Sequence, residues 1–110
     1  MSEIQELESH KEDLKRQVEL RDQILKLSEN HDFRKVIHDN FFEKETARNA
    51  RIGGDPNLDE KQRNDALQMA MAAGHLQRYL SAQVLMGNQA ENTIYQIDQA
   101  LEELRTEEAD

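Results

Sequence analysis

Apolar residues near the start of the chain recur every three or four positions, the spacing that aligns them on one face of an α-helix. Those that fit the a and d positions of one heptad frame are Ile4, Leu7, Leu14, Val18 and Leu25. Lys11, Arg21 and Ser28 fall in the same frame and interrupt it. The pattern predicts a first helix over about residues 3–28. Because of its polar interruptions, this helix would have only marginal stability on its own.

A second helix is predicted after the polar stretch SENHD, whose residues prefer helix caps to helix interiors. Asp32 can accept hydrogen bonds from the free backbone N–H groups of the turn that begins at Phe33. Apolar residues then repeat at helical spacing, and the Gly-Gly-Asp-Pro sequence that follows breaks the helix. We expect helix 32–51 and a turn at 52–58.

A third and much longer helix is predicted over about residues 59–107, with Asn57 or Asp59 as its cap. One heptad frame continues from Ala66 to Leu104, and no proline interrupts it. An unbroken helix of this size is roughly 70 Å long at 1.5 Å per residue, too long for a compact domain of 110 residues. Gly87 leaves two alternatives open, a bend or break near residue 87 or the close approach of another helix across a small residue.

These patterns predict an all-α protein of one domain, residues 1–110. We expect a coiled-coil-like, oligomeric arrangement in which the first two helices form a bent hairpin and the long C-terminal helix packs antiparallel against them. The residues expected to carry association between chains are Leu76, Leu80, Ile94, Ile97, Leu101 and Leu104. The residues expected to form a packing hub in the hairpin are Phe33, Ile37, Phe41 and Phe42.

Composition and charge limit the kinds of partner that we expect for this chain. The net charge is −9, and the last 32 residues alone carry a balance of −6. Since affinity for nucleic acid comes mainly from Lys and Arg, direct nucleic-acid binding is not expected. No stretch approaches the ~20 apolar residues of a membrane span. The chain has no cysteine and its first residues lack the apolar run of a secretory signal, so we expect a reducing interior.

The chemistry of individual residues favours packing over catalysis. His31 and His38 are seven residues apart, which in one helix is about 10 Å and too far to share a metal. A carboxylate such as Asp39 or Glu45 could join one histidine, but acids are common here and we expect no metal. There is no nucleophile elbow, catalytic triad spacing or phosphate-binding glycine loop. We expect no enzymatic activity, no cofactor and no small-molecule substrate.

One resemblance bears on function. It covers about residues 25–108 and includes LSENHDF, DNFFEKE, a turn with Asp-Pro, LQRYL and the ending LEELR. This arrangement resembles small acidic helical proteins of tailed bacteriophages, encoded near virion structural genes. It implies a virion structural or assembly protein, located in the host cytoplasm during assembly or in the virion, with other virion or host proteins as partners. It implies no catalytic residues.

Two other functions remain open. An acidic phage inhibitor would occupy the nucleic-acid-binding groove of a host enzyme with its C-terminal helix, which the −6 balance favours. A generic coiled-coil adaptor would bridge other proteins.

Overall fold

The computed structural model describes residues 2–109, which are almost entirely helical and contain no strand. The elements are α1 (Glu3–Glu29), α2 (His31–Phe33), a π-helical segment (Arg34–Glu45), α3 (Thr46–Gly53) and α4 (Glu60–Ala109). The predicted all-α class is confirmed, with the short helices packed against the long C-terminal one. None of the described helices combines the length and the apolar character needed to cross a membrane.

The π-helical segment was not expected, because the apolar spacing predicts an ordinary α-helix there. Its backbone winds with five-residue hydrogen bonding, and two side chains follow the same spacing. The Asn40 amide donates to the Lys35 carbonyl at 2.8 Å, and the Thr46 hydroxyl donates to the Phe41 carbonyl at 3.2 Å. The wider turn reduces the angle between successive residues, so the neighbouring residues Phe41 and Phe42 are both half-buried.

Side-chain caps begin α1, α2 and α4. At α1, the Gln5 N–H donates to Ser2 Oγ at 3.2 Å and the Ser2 N–H donates to Gln5 Oε1 at 3.1 Å. The Phe33 N–H donates to the Asn30 side chain at 2.9 Å, so Asn30, and not Asp32, is the cap of α2. At α4, the Gln62 N–H donates to Asp59 Oδ1 at 2.7 Å and the Asp59 N–H donates to Gln62 Oε1 at 3.3 Å. This reciprocal pair is a capping box, with the predicted Asp59 as the cap.

The described residues divide into two compact units where the sequence predicts one domain. Unit 1 contains residues 2–25 and 82–109, and unit 2 contains residues 26–81. The long helix α4 contributes to both.

In unit 1, α1 and the C-terminal part of α4 run antiparallel. Glu8 pairs with Arg105 and Lys11 pairs with Asp98, each at 2.5 Å, so that later residues of α1 meet earlier residues of α4. Between them lie the buried residues Ile24, Ala90, Ile97 and Leu101. The inward face of α1 ends on Ile24, and Leu25, which belongs to the predicted heptad frame, is 45% exposed.

In unit 2, small residues allow α3 to approach the N-terminal part of α4. A Cβ atom added to Gly53 would overlap the Leu67 side chain. Ala66 and Ala73 are the buried residues of α4 in this unit. Asn49 is also buried, and its amide nitrogen donates at 2.8 Å to the carbonyl of Glu45, four residues earlier in the chain.

Candidate association surface

The residues predicted to carry association between chains do not share one environment. Ile97 and Leu101 are only 6% and 2% exposed, and Ile94 and Leu104 are half-buried. All four lie in unit 1, on the part of α4 that packs with α1. Ile97 and Leu101 are thus covered within their own chain, and their role between chains stays a prediction.

The predicted packing hub lies in unit 2. Phe33, Ile37, Phe41 and Phe42 are all half-buried, and the rings of Phe41 and Phe42 are 5.8 Å apart. Phe33 and Phe42 line a cleft of about 390 Å³ together with Leu80 from α4. Leu80 is half-buried there, so it belongs to this cleft more than to an open face.

Three side chains of the π-helical segment converge at one edge of this unit. His38 Nδ1 lies 3.1 Å from Asp39 Oδ1 and 3.8 Å from Glu43 Oε1. Glu43 comes close to His38 because π-helical winding places residues five positions apart near each other. The sequence suggested that Asp39 or Glu45 could join one histidine. Asp39 does lie beside His38, whereas Glu45 pairs with Arg48 at 2.8 Å. All three side chains are more than half exposed, so water competes for each donor atom and we assign no metal to them.

Unit 1 contains a buried polar contact at a position that the sequence marks as an interruption. Arg21 is 9% exposed and donates to Glu91 at 2.6 Å and to Asn88 at 3.0 Å. Its hydrogen bonds to Glu91 and then to Asp22 raise the pKa of Arg21. A Cβ atom at Gly87 would overlap the Arg21 side chain, and α4 is unbroken at this residue. The glycine thus makes room for the arginine, which is the close approach that one of the two alternatives describes.

The N-terminal half of α4 exposes an apolar face within unit 2. Four residues spaced three, four and three apart form this face, which we call the neutral face: Met69, Ala72, Leu76 and Tyr79. Met69, Leu76 and Tyr79 are 51%, 37% and 50% exposed. The buried residues Ala66 and Ala73 lie at the inner edge of this face, beside Met69 and Leu76. Of the predicted association residues, Leu76 is the most exposed, at 37%.

The neutral face lies in a stretch of α4 that is almost free of charged residues. Between Ala66 and Ala90 the only formally charged residue is Arg78, although 34% of the whole chain is charged. The heptad frame that begins at Ala66 includes Met69 and Leu76 and leaves out Ala72 and Tyr79. The lack of charge over this stretch is the signal that could have found them.

Comparison with protein-family models, with curated proteins and with solved structures finds no match to this chain.

Proposed function

We propose that the protein is a non-enzymatic structural or assembly protein that acts through helix–helix association, and specifically a bacteriophage virion or assembly component. The observation that carries the proposal is the neutral face. Met69, Leu76 and Tyr79 are large, mostly apolar side chains, 37–51% exposed on one side of a long helix. Apolar side chains grouped in this way favour burial against another protein.

Some of the predicted association residues are buried within the chain, which limits the part of α4 where association between chains can occur. Ile97 and Leu101 stabilise the packing of α1 against α4. Leu76 remains available, and it lies in the nearly uncharged stretch of α4. Association is therefore assigned to the N-terminal half of α4. The bacteriophage context is supported by the resemblance over residues 25–108.

The inhibitor alternative has less support from the acidic end of α4. Glu91 pairs with Arg21 and Asp98 with Lys11, so two of its carboxylates serve contacts within unit 1. Of the other acids, Glu103 and Glu107 are four residues apart and share a face, whereas Glu102 and Glu108 point in other directions around the helix. A phosphate mimic needs its acids along one face. The adaptor alternative differs from our proposal only in the proteins that are joined.

The test is a quantitative mass-spectrometric count of this chain in purified particles of a phage that encodes it. A fixed number of copies per particle that survives a high-salt wash supports a structural role, because an apolar contact is not screened by salt. The proposal is overturned if the chain is absent from mature, empty and immature particles alike. Recovery of a host nucleic-acid enzyme that dissociates at high salt would support the inhibitor instead.

A further inference from the structure

We infer that the partner of the neutral face is a second copy of this chain, with the two α4 helices antiparallel and related by a two-fold axis level with Gly74. The inference rests on the proposed function and names its partner. In this arrangement Ala72 of one copy lies opposite Leu76 of the other, and Met69 lies opposite Tyr79.

Charge favours a second copy at this place. Each chain carries a net charge of −9, so two copies that meet through most of their surface bring like charges together. The neutral face contains no charged residue, and Arg78 is the only one in the surrounding stretch from Ala66 to Ala90. Two identical neutral faces can therefore approach without the repulsion that the rest of the chain would impose. A strongly charged partner would find nothing to pair with here.

The sizes of the side chains favour the antiparallel orientation. In a parallel, in-register pair each residue meets its own copy, so two alanines would leave a gap at one level and two tyrosines would crowd another. Antiparallel helices pair Ala72 with Leu76 and Met69 with Tyr79, which gives each level one smaller and one larger side chain. Even layers of this kind pack more closely than alternating wide and narrow ones.

The face is also complementary to itself. A two-fold interface requires that when one residue contacts another, the reverse contact occurs as well. The spacing of three, four and three residues is the same when it is read in either direction along the helix. When two copies meet antiparallel, each residue of the neutral face therefore lies opposite another residue of that face.

Cysteine cross-linking tests the arrangement directly, because the natural chain contains no cysteine. Ala72→Cys and Leu76→Cys variants carrying tags of different mass are mixed in equal amounts in a glutathione redox buffer. Disulfides are then identified on non-reducing gels and by mass spectrometry. We expect the mixed disulfide between the two variants to exceed the share that random pairing gives, since a disulfide forms only where two Cβ atoms lie close together.

Matched controls separate the alternatives. A Met71→Cys variant places the thiol at a more exposed position, 60%, that points away from the neutral face, and it measures random collision. Predominant disulfides between two Ala72→Cys chains would show a parallel pair and overturn the inference. Cross-linking no greater than that of Met71→Cys would overturn it as well. Circular dichroism checks that each variant keeps its helices.

Light scattering on the natural chain distinguishes a wrong antiparallel arrangement from a wrong proposed function. An oligomer that does not form the mixed disulfide leaves association in place and refutes this partner arrangement. A monomer at every concentration refutes the second copy, while the count in particles still decides whether the chain associates with other virion proteins.

Discussion

Arg21 lies across Gly87, and its guanidinium reaches Glu91 at 2.6 Å on the same side of α4. Read separately in the sequence, the arginine interrupts a heptad frame and the glycine weakens a long helix. Together they form one contact, because the missing side chain of Gly87 accommodates the arginine stem, and Glu91 and Asn88 satisfy its head. Two apparent defects thus help to fix how α1 and α4 align in unit 1.

Replacement of Gly87 by alanine should therefore destabilise the protein. Alanine favours a helix by about 1 kcal/mol over glycine. However, its Cβ atom would overlap Cβ, Cγ and Cδ of Arg21, which are not the flexible end of that side chain. We expect a net loss on the order of 1 kcal/mol or more, measured by urea unfolding followed by circular dichroism.

Gly74 provides the matched control in the same helix. A Cβ atom at Gly74 meets nothing within 4 Å. Gly74→Ala should therefore stabilise the chain by up to about 1 kcal/mol through helix propensity alone. If both substitutions stabilise the protein equally, Arg21 does not occupy the space beside Gly87.

The helices themselves could be predicted because their signals are local. Apolar spacing, the Gly-Gly-Asp-Pro break and the caps before α4 act within a few residues. The first helix is predicted over 3–28 and spans Glu3–Glu29, and the last is predicted over 59–107 and spans Glu60–Ala109. The π-helical winding of Arg34–Glu45 lies within the predicted second helix and has no comparable local signal.

The association surface was harder to predict, because a stripe of apolar residues shows that a face is covered but not which chain covers it. Ile97 and Leu101 follow the heptad frame closely and are covered by their own α1. Two frames overlap near Leu76, one through Ala73 and Leu80 and one through Ala72 and Tyr79. Only the packing of unit 2 shows that Ala73 faces inward, which leaves the other frame exposed.

The start of α2 gives a second prediction. Asn30→Ala should cost about 1 kcal/mol, because the Phe33 N–H loses the side-chain acceptor that now lies 2.9 Å away. Chemical unfolding of the variant and the natural chain measures the difference. Asp32→Ala is the control, since Asp32 lies beside His31 at 3.3 Å and does not cap the helix. An equal or larger loss in the Asp32 variant would assign the cap to Asp32, as the sequence alone suggested.

The third prediction concerns pH. The hydrogen bond from Arg48 lowers the pKa of Glu45, so the folded chain holds this carboxylate ionised at a lower pH than the unfolded chain does. The contribution to stability is complete above the unfolded pKa and disappears as pH falls through the lowered folded value. Arg48→Ala should reduce Tm slightly at neutral pH, and the difference should vanish as pH falls through the lowered pKa of Glu45. The effect is small because both side chains are well exposed.

The control for this pair is Arg51→Ala on the same helix, because Arg51 has no ion pair among the described residues. Its effect on Tm should not depend on pH in this range. A deficit of Arg48→Ala that persists unchanged at acid pH would show that the arginine contributes through packing and not through the carboxylate.

The last prediction separates the two roles of α4. Ile97→Asp should unfold unit 1, because it places an unpaired carboxylate at a position that is 6% exposed, at a cost of about 3 kcal/mol or more. Leu76→Asp introduces the same side chain where 37% of the leucine is exposed, and most of the helix signal should remain. If Leu76 associates with another chain, the natural protein has a Tm that rises with concentration, and this dependence disappears in the Leu76 variant. Calorimetry and light scattering over a range of concentrations measure both effects. A loss of association without loss of helix in the Ile97 variant would return that residue to the interface between chains.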